Sequence, residues 1–169
     1  MNNNLTQKRK FCINKKVAVI SATLLIVALA AALICFAMNN PKSVTSSEFS
    51  SFMEAKGFSV SDKTDDDGIN RGITEAVVSA IESDMNVQYR SFINEKYAQD
   101  FYEGIRQAYI SQYPGDLKEK DGKNRESIRL AADFGHYFIV SRIENTVIVA
   151  ETYNSQSEEM NDIIKKIGY

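Results

Sequence analysis

An uninterrupted apolar segment near the amino end limits the possible arrangements of this chain more than any other feature. Residues 17–38, VAVISATLLIVALAAALICFAM, contain no charged residue over 22 positions. A helix with a rise of about 1.5 Å per residue would be roughly 33 Å long over this segment, which is enough to cross a hydrocarbon core of about 30 Å. The sequence therefore predicts a single transmembrane helix at 17–38.

The charges on the two sides of this segment differ in sign. Residues 1–16 carry five basic residues and no acidic residue, whereas residues 39–169 carry 15 basic and 22 acidic residues, a net charge of −7. Lys and Arg beside a span favour the cytoplasmic side of a membrane. We therefore expect a basic cytoplasmic flank at 1–16, a linker at 39–44 and an extracytoplasmic domain at 45–169, held at the cell membrane by a single pass.

The alternative interpretation is a segment removed during export. A signal peptide usually has an apolar region of about 7 to 15 residues, which is shorter than this segment, although cleavage after Ala37 would satisfy the small-residue rule. Cys35 raises the possibility of a lipoprotein, but Ile34 stands before it where a small residue is typical. An uncleaved signal anchor fits the length better.

Cysteine and histidine usage excludes several kinds of site from the outer domain. Cys12 and Cys35 are the only cysteines and both precede residue 45, while His136 is the only histidine. The outer domain therefore cannot form a disulfide of its own or a zinc site of the common Cys/His kind. About 120 residues suffice for one hydrophobic core but not for two domains.

Periodicity and turn residues predict an α+β domain with the element order α-β-β-β-α-β-β-β-α. The expected architecture is one mainly antiparallel sheet with the helices packed on one face. Residues 116–126 are highly charged, without an apolar pattern, and are predicted to form an exposed loop. The predicted helices cover 45–56, 94–113 and 155–167, and the predicted strands cover 58–61, 73–82, 87–92, 127–132, 136–143 and 146–153.

Local motifs make this prediction more specific. Thr45 with Glu48, and Ser155 with Glu158, have the spacing of a capping box, and Asn94 is a candidate cap for the second helix. Val87 and Tyr89 should share one face of a strand.

No set of residues in the sequence matches a known catalytic or metal-binding pattern. His136 is the only candidate imidazole base, there is no G-x-S-x-G motif, and a structural role for His136 is the simpler interpretation. In the acidic loop 62–71, an EF-hand with Gly68 at position six would place Lys63 and Thr74 at positions that require acids. The sequence thus predicts no enzyme activity, no cofactor and no metal, and the acidic domain argues against nucleic acid as a partner.

Five residues are candidates for contacts with a partner. Arg142, Glu144 and Asn145 are polar residues at the tip of a predicted hairpin, and Tyr97 and Tyr113 lie near the ends of the second helix. The alternative is structural, with Arg142 pointing into solvent, Asn145 taking the positive φ of the turn, and the tyrosines packing on the core.

Short segments of the domain resemble a group of bacterial surface proteins. The segments are 142–146 (RIENT), 166–169 (KIGY) and a helix start at Thr45 followed by Lys56-Gly57-Phe58. Over about residues 45–169 the chain resembles small, uncharacterised membrane-anchored or lipid-anchored surface proteins of Gram-positive gut bacteria, a domain of unknown function. No activity is assigned to that group, so the resemblance implies an extracytoplasmic domain and no catalytic residues.

Three hypotheses for the function follow. The first is a membrane-anchored module that binds a protein, a peptide or an envelope component. The second is a structural subunit of a membrane complex, for which Ala18 and Ala22 would permit helix pairing. The third is a hydrolase that uses carboxylates in the loop 65–67 or near Asp133. The sequence does not specify an oligomeric state.

Overall fold

The computed structural model of this chain describes residues 42–66, 72–122 and 124–169, which belong to one compact unit. The predicted flank at 1–16 and the predicted transmembrane helix at 17–38 lie outside these described residues. No helix within the described ranges is both long enough and apolar enough to cross a membrane.

The described residues form three helices and seven strands. A short 3-10 turn, Asn154–Gln156, precedes the last helix. The helices are α1 (Ser46–Ala55), α2 (Glu95–Gln112) and α3 (Ser157–Ile167), and the strands are β1 (Ser59–Asp62), β2 (Thr74–Glu82), β3 (Met85–Phe92), β4 (Gly115–Gly122), β5 (Arg125–Ala132), β6 (His136–Ile143) and β7 (Thr146–Tyr153).

All seven strands belong to one antiparallel sheet in the order β1-β2-β3-β7-β6-β5-β4. Strands β1 to β3 form one meander and β4 to β7 form another, and the two join where β3 pairs with β7. Helix α2 connects β3, in the middle of the sheet, to the edge strand β4. The prediction of an α+β fold with a mainly antiparallel sheet is therefore confirmed.

The charged segment that was predicted as an exposed loop is instead the edge strand β4. Strand β4 pairs with β5 over eight residue pairs, from Gly115 with Ala132 to Gly122 with Arg125. Nearly all its residues are exposed, so no apolar alternation marks it as a strand. Charged side chains on an edge strand discourage pairing with other chains, which explains how so polar a segment can be a strand.

Helices cover both faces of the sheet, so the prediction of helices on one face is wrong. Helices α1 and α3 pack with Tyr89, Ile139 and Ile148 on one face, here called the α1–α3 face. Helix α2 packs with Ile128 and Val140 on the opposite face, here called the α2 face. Because every residue of β6 after His136 is buried, both sides of this strand need a covering layer.

Helix starts follow the predicted caps in two of three cases. Thr45 and Glu48 form the expected capping box, with the Glu48 amide donating to Thr45 Oγ1 at 3.2 Å and the Thr45 amide donating to Glu48 Oε2 at 2.8 Å. Asn94 caps α2 by accepting from the Tyr97 amide at 3.1 Å. The predicted Ser155 cap of α3 is wrong, because the 3-10 turn shifts the N-cap to Gln156, whose side chain makes no cap bond.

Different chain segments lie at the two ends of the sheet. At one end, here called the linker end, the chain enters through 42–45, where Ser43 Oγ donates to Glu144 Oε2 at 3.0 Å and Tyr89 Oη donates to the Val44 carbonyl at 2.8 Å. At the opposite end, here called the far end, lie the β2–β3 turn and the start of β6. An eight-residue strand separates the two ends by about 25 Å.

Candidate functional site

Arg142 is buried beneath the first turn of α2 instead of pointing into solvent. Its side chain is 3% exposed, and it donates to Glu126 at 2.7 Å, to Glu95 at 3.1 Å and to the Glu144 carbonyl at 2.9 Å. Burial alone would lower the pKa of Arg142, but the hydrogen bonds and charges of the two carboxylates outweigh burial and raise it. Arg142 therefore joins β5, β6 and α2, and its side chain is too deeply buried to form the exposed hairpin tip that was predicted.

The other two residues of the predicted hairpin tip are also held by the domain. Glu144, and not Asn145, has the positive φ, at 50°, which is the position where a type II′ turn places it. Asn145 Nδ2 donates to the Phe92 carbonyl at 2.7 Å, and the Phe92 amide donates to the Asn145 carbonyl at 2.9 Å. The prediction that Asn145 takes the positive φ of the turn is therefore wrong, and its side chain instead fastens the turn to β3.

Tyr97 and Tyr113 lie at opposite ends of α2 and do not form one patch. Sixteen residues of helix separate them by about 24 Å. Tyr97 is half-buried against the α2-face core at the linker end. Tyr113 packs at the far end, where its ring stacks on Phe138 with a centroid separation of 4.9 Å. None of the five predicted contact residues lines a cleft at the far end, and Tyr113 is connected to that end only through the ring of Phe134, 5.1 Å away.

A cleft of about 170 Å³ opens at the far end of the sheet, between the β2–β3 turn and the adjoining ends of β6 and β7. We call it the His136 cleft. His136 begins β6 and is half-buried, and its Nδ1–H donates to Glu151 Oε1 at 3.0 Å across the β6–β7 pair. The residues lining the cleft are Ile81, Ser83, Asp84, Met85, Asn86, His136, Glu151, Thr152 and Tyr153.

Aromatic rings continue from the cleft towards the end of α2. The His136 ring lies 5.0 Å from Tyr153 and 5.0 Å from Phe134, and Phe134 in turn lies 5.1 Å from Tyr113. Burial, together with the charge of Glu151, raises the pKa of the next ring in this row, Tyr109, to about 12. The row thus runs from the half-buried Tyr109 on α2 to the exposed Tyr153 at the cleft.

Exposed apolar side chains are concentrated at this end of the molecule. Five large hydrophobic residues are exposed in the described ranges, and three of them border the cleft or its aromatic row: Phe134 at 53%, Ile81 at 49% and Tyr153 at 44%. Such side chains are ordinarily scattered on a monomer, and a group of them marks a contact surface.

The charges at the His136 cleft are mainly negative. Asp84 and Glu151 are the acidic residues of its lining, and His136, already bonded to Glu151, is the lining residue that can carry a positive charge. A cationic group entering the cleft would meet the carboxylates of Asp84 and Glu151 and the Tyr153 ring, groups that attract cations. The cleft is therefore suited to a Lys or Arg side chain.

A second cleft, of about 450 Å³, lies at the linker end against the entering chain. The Tyr89 hydroxyl in its wall is occupied by the Val44 carbonyl, and burial raises the pKa of Tyr89 to about 12. Thr146, also in the wall, is hydrogen-bonded to the Tyr169 hydroxyl. These bonds indicate that this cleft is a seam where the linker packs on the domain.

The acidic residues that were considered for hydrolysis lie apart from both clefts. Asp66 pairs with Lys63 at 3.1 Å, Asp133 is exposed in the β5–β6 turn, and Asp67 lies outside the described residues. Neither cleft is lined by Asp65, Asp66 or Asp133. Within the described parts of the chain, no group of three or more His, Cys, Asp or Glu residues could hold a metal ion.

Sequence reasoning considered His136 but missed the cleft and its exposed rings. The β6–β7 register places His136 opposite Tyr153 and one diagonal step from Glu151, because Glu151 pairs with Phe138. Residues related in this way reach each other on one face of a sheet. Phe134, a bulky apolar residue in a turn, was the signal in the sequence that could have pointed to this end of the domain.

Comparison with known proteins gives no relative from which a function could be transferred. No protein-family model matches the chain, and neither a curated protein nor a solved structure shows significant similarity to it.

Proposed function

We propose that this chain is a single-pass membrane protein whose outer domain binds a basic segment of a protein partner in the His136 cleft. The observation that carries the proposal is the group of exposed apolar side chains around an acidic, ring-lined cleft at one end of the sheet. The predicted anchor at 17–38 and the resemblance to surface proteins support the extracytoplasmic location.

The apolar part of the surface supplies the contact area. Phe134 and Tyr153 are rigid rings on a turn and at a strand end, so fixing them in a complex costs little side-chain entropy. Aromatic residues at the centre of an interface commonly carry most of the binding energy. A partner that covers Ile81, Phe134 and Tyr153 would remove the principal exposed apolar group of the described domain from water.

The acidic part of the surface supplies the specificity. Glu151 is 43% exposed in its side chain and is held by His136, so its second oxygen remains open to the cleft. Asp84 is exposed on the facing turn. A Lys or Arg side chain entering between them would bond a carboxylate and lie against the Tyr153 ring.

The position of the cleft suits a membrane-anchored binding module. The chain enters the domain at the linker end, and the His136 cleft lies about 25 Å away along the strands. A partner that binds the cleft therefore contacts the end of the sheet opposite to the entering chain.

Selection from a random peptide library by the full chain in lipid nanodiscs tests this proposal. We expect enrichment of peptides that combine Lys or Arg with an apolar residue. Glu151→Gln and Tyr153→Ala should each weaken the selected peptides by about tenfold, since each removes one of the two attractions in the cleft.

Two matched variants control for charge and hydrophobicity. Glu75→Gln removes an exposed acid outside the His136 cleft, and Ile110→Ala removes an exposed apolar side chain from α2. Both should leave peptide affinity unchanged. The proposal is wrong if no basic peptide is enriched, or if the cleft variants bind the selected peptides as tightly as the original chain.

A further inference from the structure

We propose that a cationic surface on the α1–α3 face binds the phosphate headgroups of anionic lipids in the membrane that holds the anchor. The surface, here called the basic ribbon, is formed by Lys118 and Lys120 of β4, Arg125 and Arg129 of β5, and Lys165 of α3. The proposal relies on the predicted anchor, which is part of the proposed function, and is independent of the His136 cleft.

The register of β4 and β5 separates positive from negative charge. Lys118 pairs with Arg129, Lys120 with Ser127 and Gly122 with Arg125, and residues opposite each other share a face. The four cations of the two strands therefore lie on the α1–α3 face. The residues that alternate with them on the α2 face are Leu117, Glu119, Asp121, Glu126 and Ile128.

The cations of the basic ribbon are poorly neutralised within the domain. Arg125 Nε is buried and has no hydrogen-bond partner among the described residues. Arg129 is held by neutral groups, with Nε donating to Asn161 Oδ1 at 2.7 Å and Nη1 to Ser127 Oγ at 3.3 Å. Lys118 forms an exposed ion pair with Asp116, in which Lys118 Nζ and Asp116 Oδ2 are 3.9 Å apart.

Helix α3 adds a fifth cation to the same side. Asn161 faces β5, since it bonds Arg129, and Lys165 follows it by one helical turn. Glu158 lies about one helical turn before Asn161. Like Asp116 at the start of β4, Glu158 is therefore nearer to the far end of the sheet. Lys165 is partly balanced by Asp162, whose pKa is lowered by bonding to Lys166 and by the charges of Lys166, Lys56 and Lys165. Towards the linker end, Lys120 and Arg125 have no acid opposite them in the β4–β5 register among the described residues.

Uncompensated like charges indicate a ligand of opposite sign. Burial and the charge of Arg129 both lower the pKa of Arg125, which means that its surroundings disfavour the charged form of its guanidinium. The region 39–169 carries an excess of seven acidic charges, and five cations gathered on one of its surfaces are therefore unusual. An anion at the ribbon would relieve the repulsion and supply acceptors for the Arg125 guanidinium.

Location favours a lipid surface over other anions. Strand β5 begins at Arg125, beside the end of β6, at the same end of the sheet as the entering linker. The six residues of the predicted linker, 39–44, could extend at most about 20 Å, so a predicted anchor at 17–38 would limit the distance between this end and a membrane. An open sheet face also fits an array of headgroups better than it fits one small phosphate, which a concave site would enclose.

The test measures how close the ribbon lies to the bilayer in the full chain. Asn124→Cys, in a chain carrying Cys12→Ser and Cys35→Ser, places a fluorescent donor at the β4–β5 turn. Nanodiscs of phosphatidylcholine, with or without phosphatidylglycerol, carry an acceptor on a lipid headgroup. We expect energy transfer to rise when phosphatidylglycerol is present and to fall again at about 1 M salt, where the Debye length is about 3 Å.

Two sets of substitutions with equal charge change separate the ribbon from general electrostatics. Lys118→Gln with Lys120→Gln and Lys165→Gln should abolish the rise, because each cation near an anionic surface strengthens association by about fivefold, or roughly a hundredfold for three. Lys56→Gln with Lys63→Gln and Lys96→Gln should retain it. Arg125 and Arg129 stay unchanged in both sets, which preserves their packing.

Several results would overturn the proposal. Energy transfer that is equal in both kinds of nanodisc, or that both triple variants reduce equally, would show no specific role for the ribbon. Ribbon-dependent retention on a soluble acidic polymer, without any effect of anionic lipid, would assign the surface to another anion. Failure of the full chain to co-elute with nanodiscs would remove the membrane that the proposal requires.

Discussion

Arg142 shows how a single buried charge connects separate elements of this domain. Its guanidinium bonds carboxylates from β5 and from the first turn of α2, and Glu126 is itself largely buried, with 23% of its side chain exposed. Arg142→Ala would leave Glu126 with no cation in a poorly solvated position. We expect the free energy of unfolding to fall by about 2 to 3 kcal/mol, measured by urea denaturation.

Arg106 provides the matched control for Arg142. It also pairs with two carboxylates, Glu119 at 2.6 Å and Glu103 at 3.2 Å, but this network lies at the surface. Arg106→Ala should therefore cost less than about 1 kcal/mol. Equal losses for the two substitutions would contradict the account of Arg142 as a buried connection.

Ser83 occupies a backbone conformation that favours glycine. Its φ is 48° in the two-residue β2–β3 turn, where a side chain costs about 1 to 2 kcal/mol. Ser83→Gly should raise the free energy of unfolding, and with it the unfolding midpoint; the gain should be roughly 0.5 to 1 kcal/mol after the entropy of glycine is counted. Asp84 is the other residue of this turn and does not have a positive φ, so Asp84→Gly should instead be neutral or destabilising. A midpoint lowered by Ser83→Gly would show that the strain is absent.

At the residue scale, local chemistry predicted the backbone better than it predicted the side chains. Thr45 and Asn94 cap helices as expected, because a cap depends on residues within one turn. Arg142 and Asn145 were misjudged because their partners, Glu95 and Phe92, lie about 50 residues away along the chain. The placement of α2 over β6 brings Glu95 to Arg142, and the pairing of β3 with β7 brings Phe92 to Asn145.

The two Ser/Thr-x-x-Glu motifs test what makes a helix cap. Thr45→Ala should destabilise the domain by about 1 kcal/mol, since Thr45 satisfies the Glu48 amide at the start of α1. Ser155→Ala should change stability by less than about 0.5 kcal/mol, because Ser155 lies within the 3-10 turn and caps nothing. Thermal unfolding of the two variants compares them directly, and a larger loss for Ser155→Ala would overturn this assignment.

At the element scale, the sequence predicted strands and helices where burial follows a period. Strands β6 and β7 and the stripe of α3 match the prediction because their apolar residues face a core. Strand β4 was missed because it is defined by pairing with β5 and buries almost nothing. The side of the sheet on which α2 packs was also missed, since the sequence does not reveal how a long connection crosses a sheet.

At the scale of the whole molecule, buried tyrosines make the fold sensitive to alkaline pH. Burial raises the pKa of Tyr89 and Tyr109 to about 12 and also raises the pKa of Tyr102 and Tyr169. The folded state therefore holds these protons more tightly than the unfolded state, in which tyrosine has a pKa of about 10. Their contribution is complete below about pH 10 and is lost as the pH rises towards about 12.

Urea denaturation across this range tests the effect. The free energy of unfolding should fall from about pH 10 to about pH 12, and Tyr89→Phe should make the decline shallower by removing one of the four groups. Val87→Ala, at a buried position on the same strand face, should lower stability without changing the slope. A free energy that is constant up to about pH 12 would contradict the assigned burial.

The described domain has two functional ends in our account, with the basic ribbon approaching the linker end and the His136 cleft at the far end. This polarity has meaning only if the domain stands outside the cytoplasm on an intact anchor. That location decides which partners can reach the cleft and which surface the ribbon can meet.

Cysteine labelling in intact cells tests this claim most directly. Ser59→Cys, exposed on β1, is placed in a chain with Cys12→Ser and Cys35→Ser, and a chain that retains Cys12 alone is the control. A membrane-impermeant reagent should label position 59 before lysis and Cys12 only after lysis, with both chains in the membrane fraction. Labelling of position 59 only after lysis, or a shortened chain in the culture medium, would contradict the account.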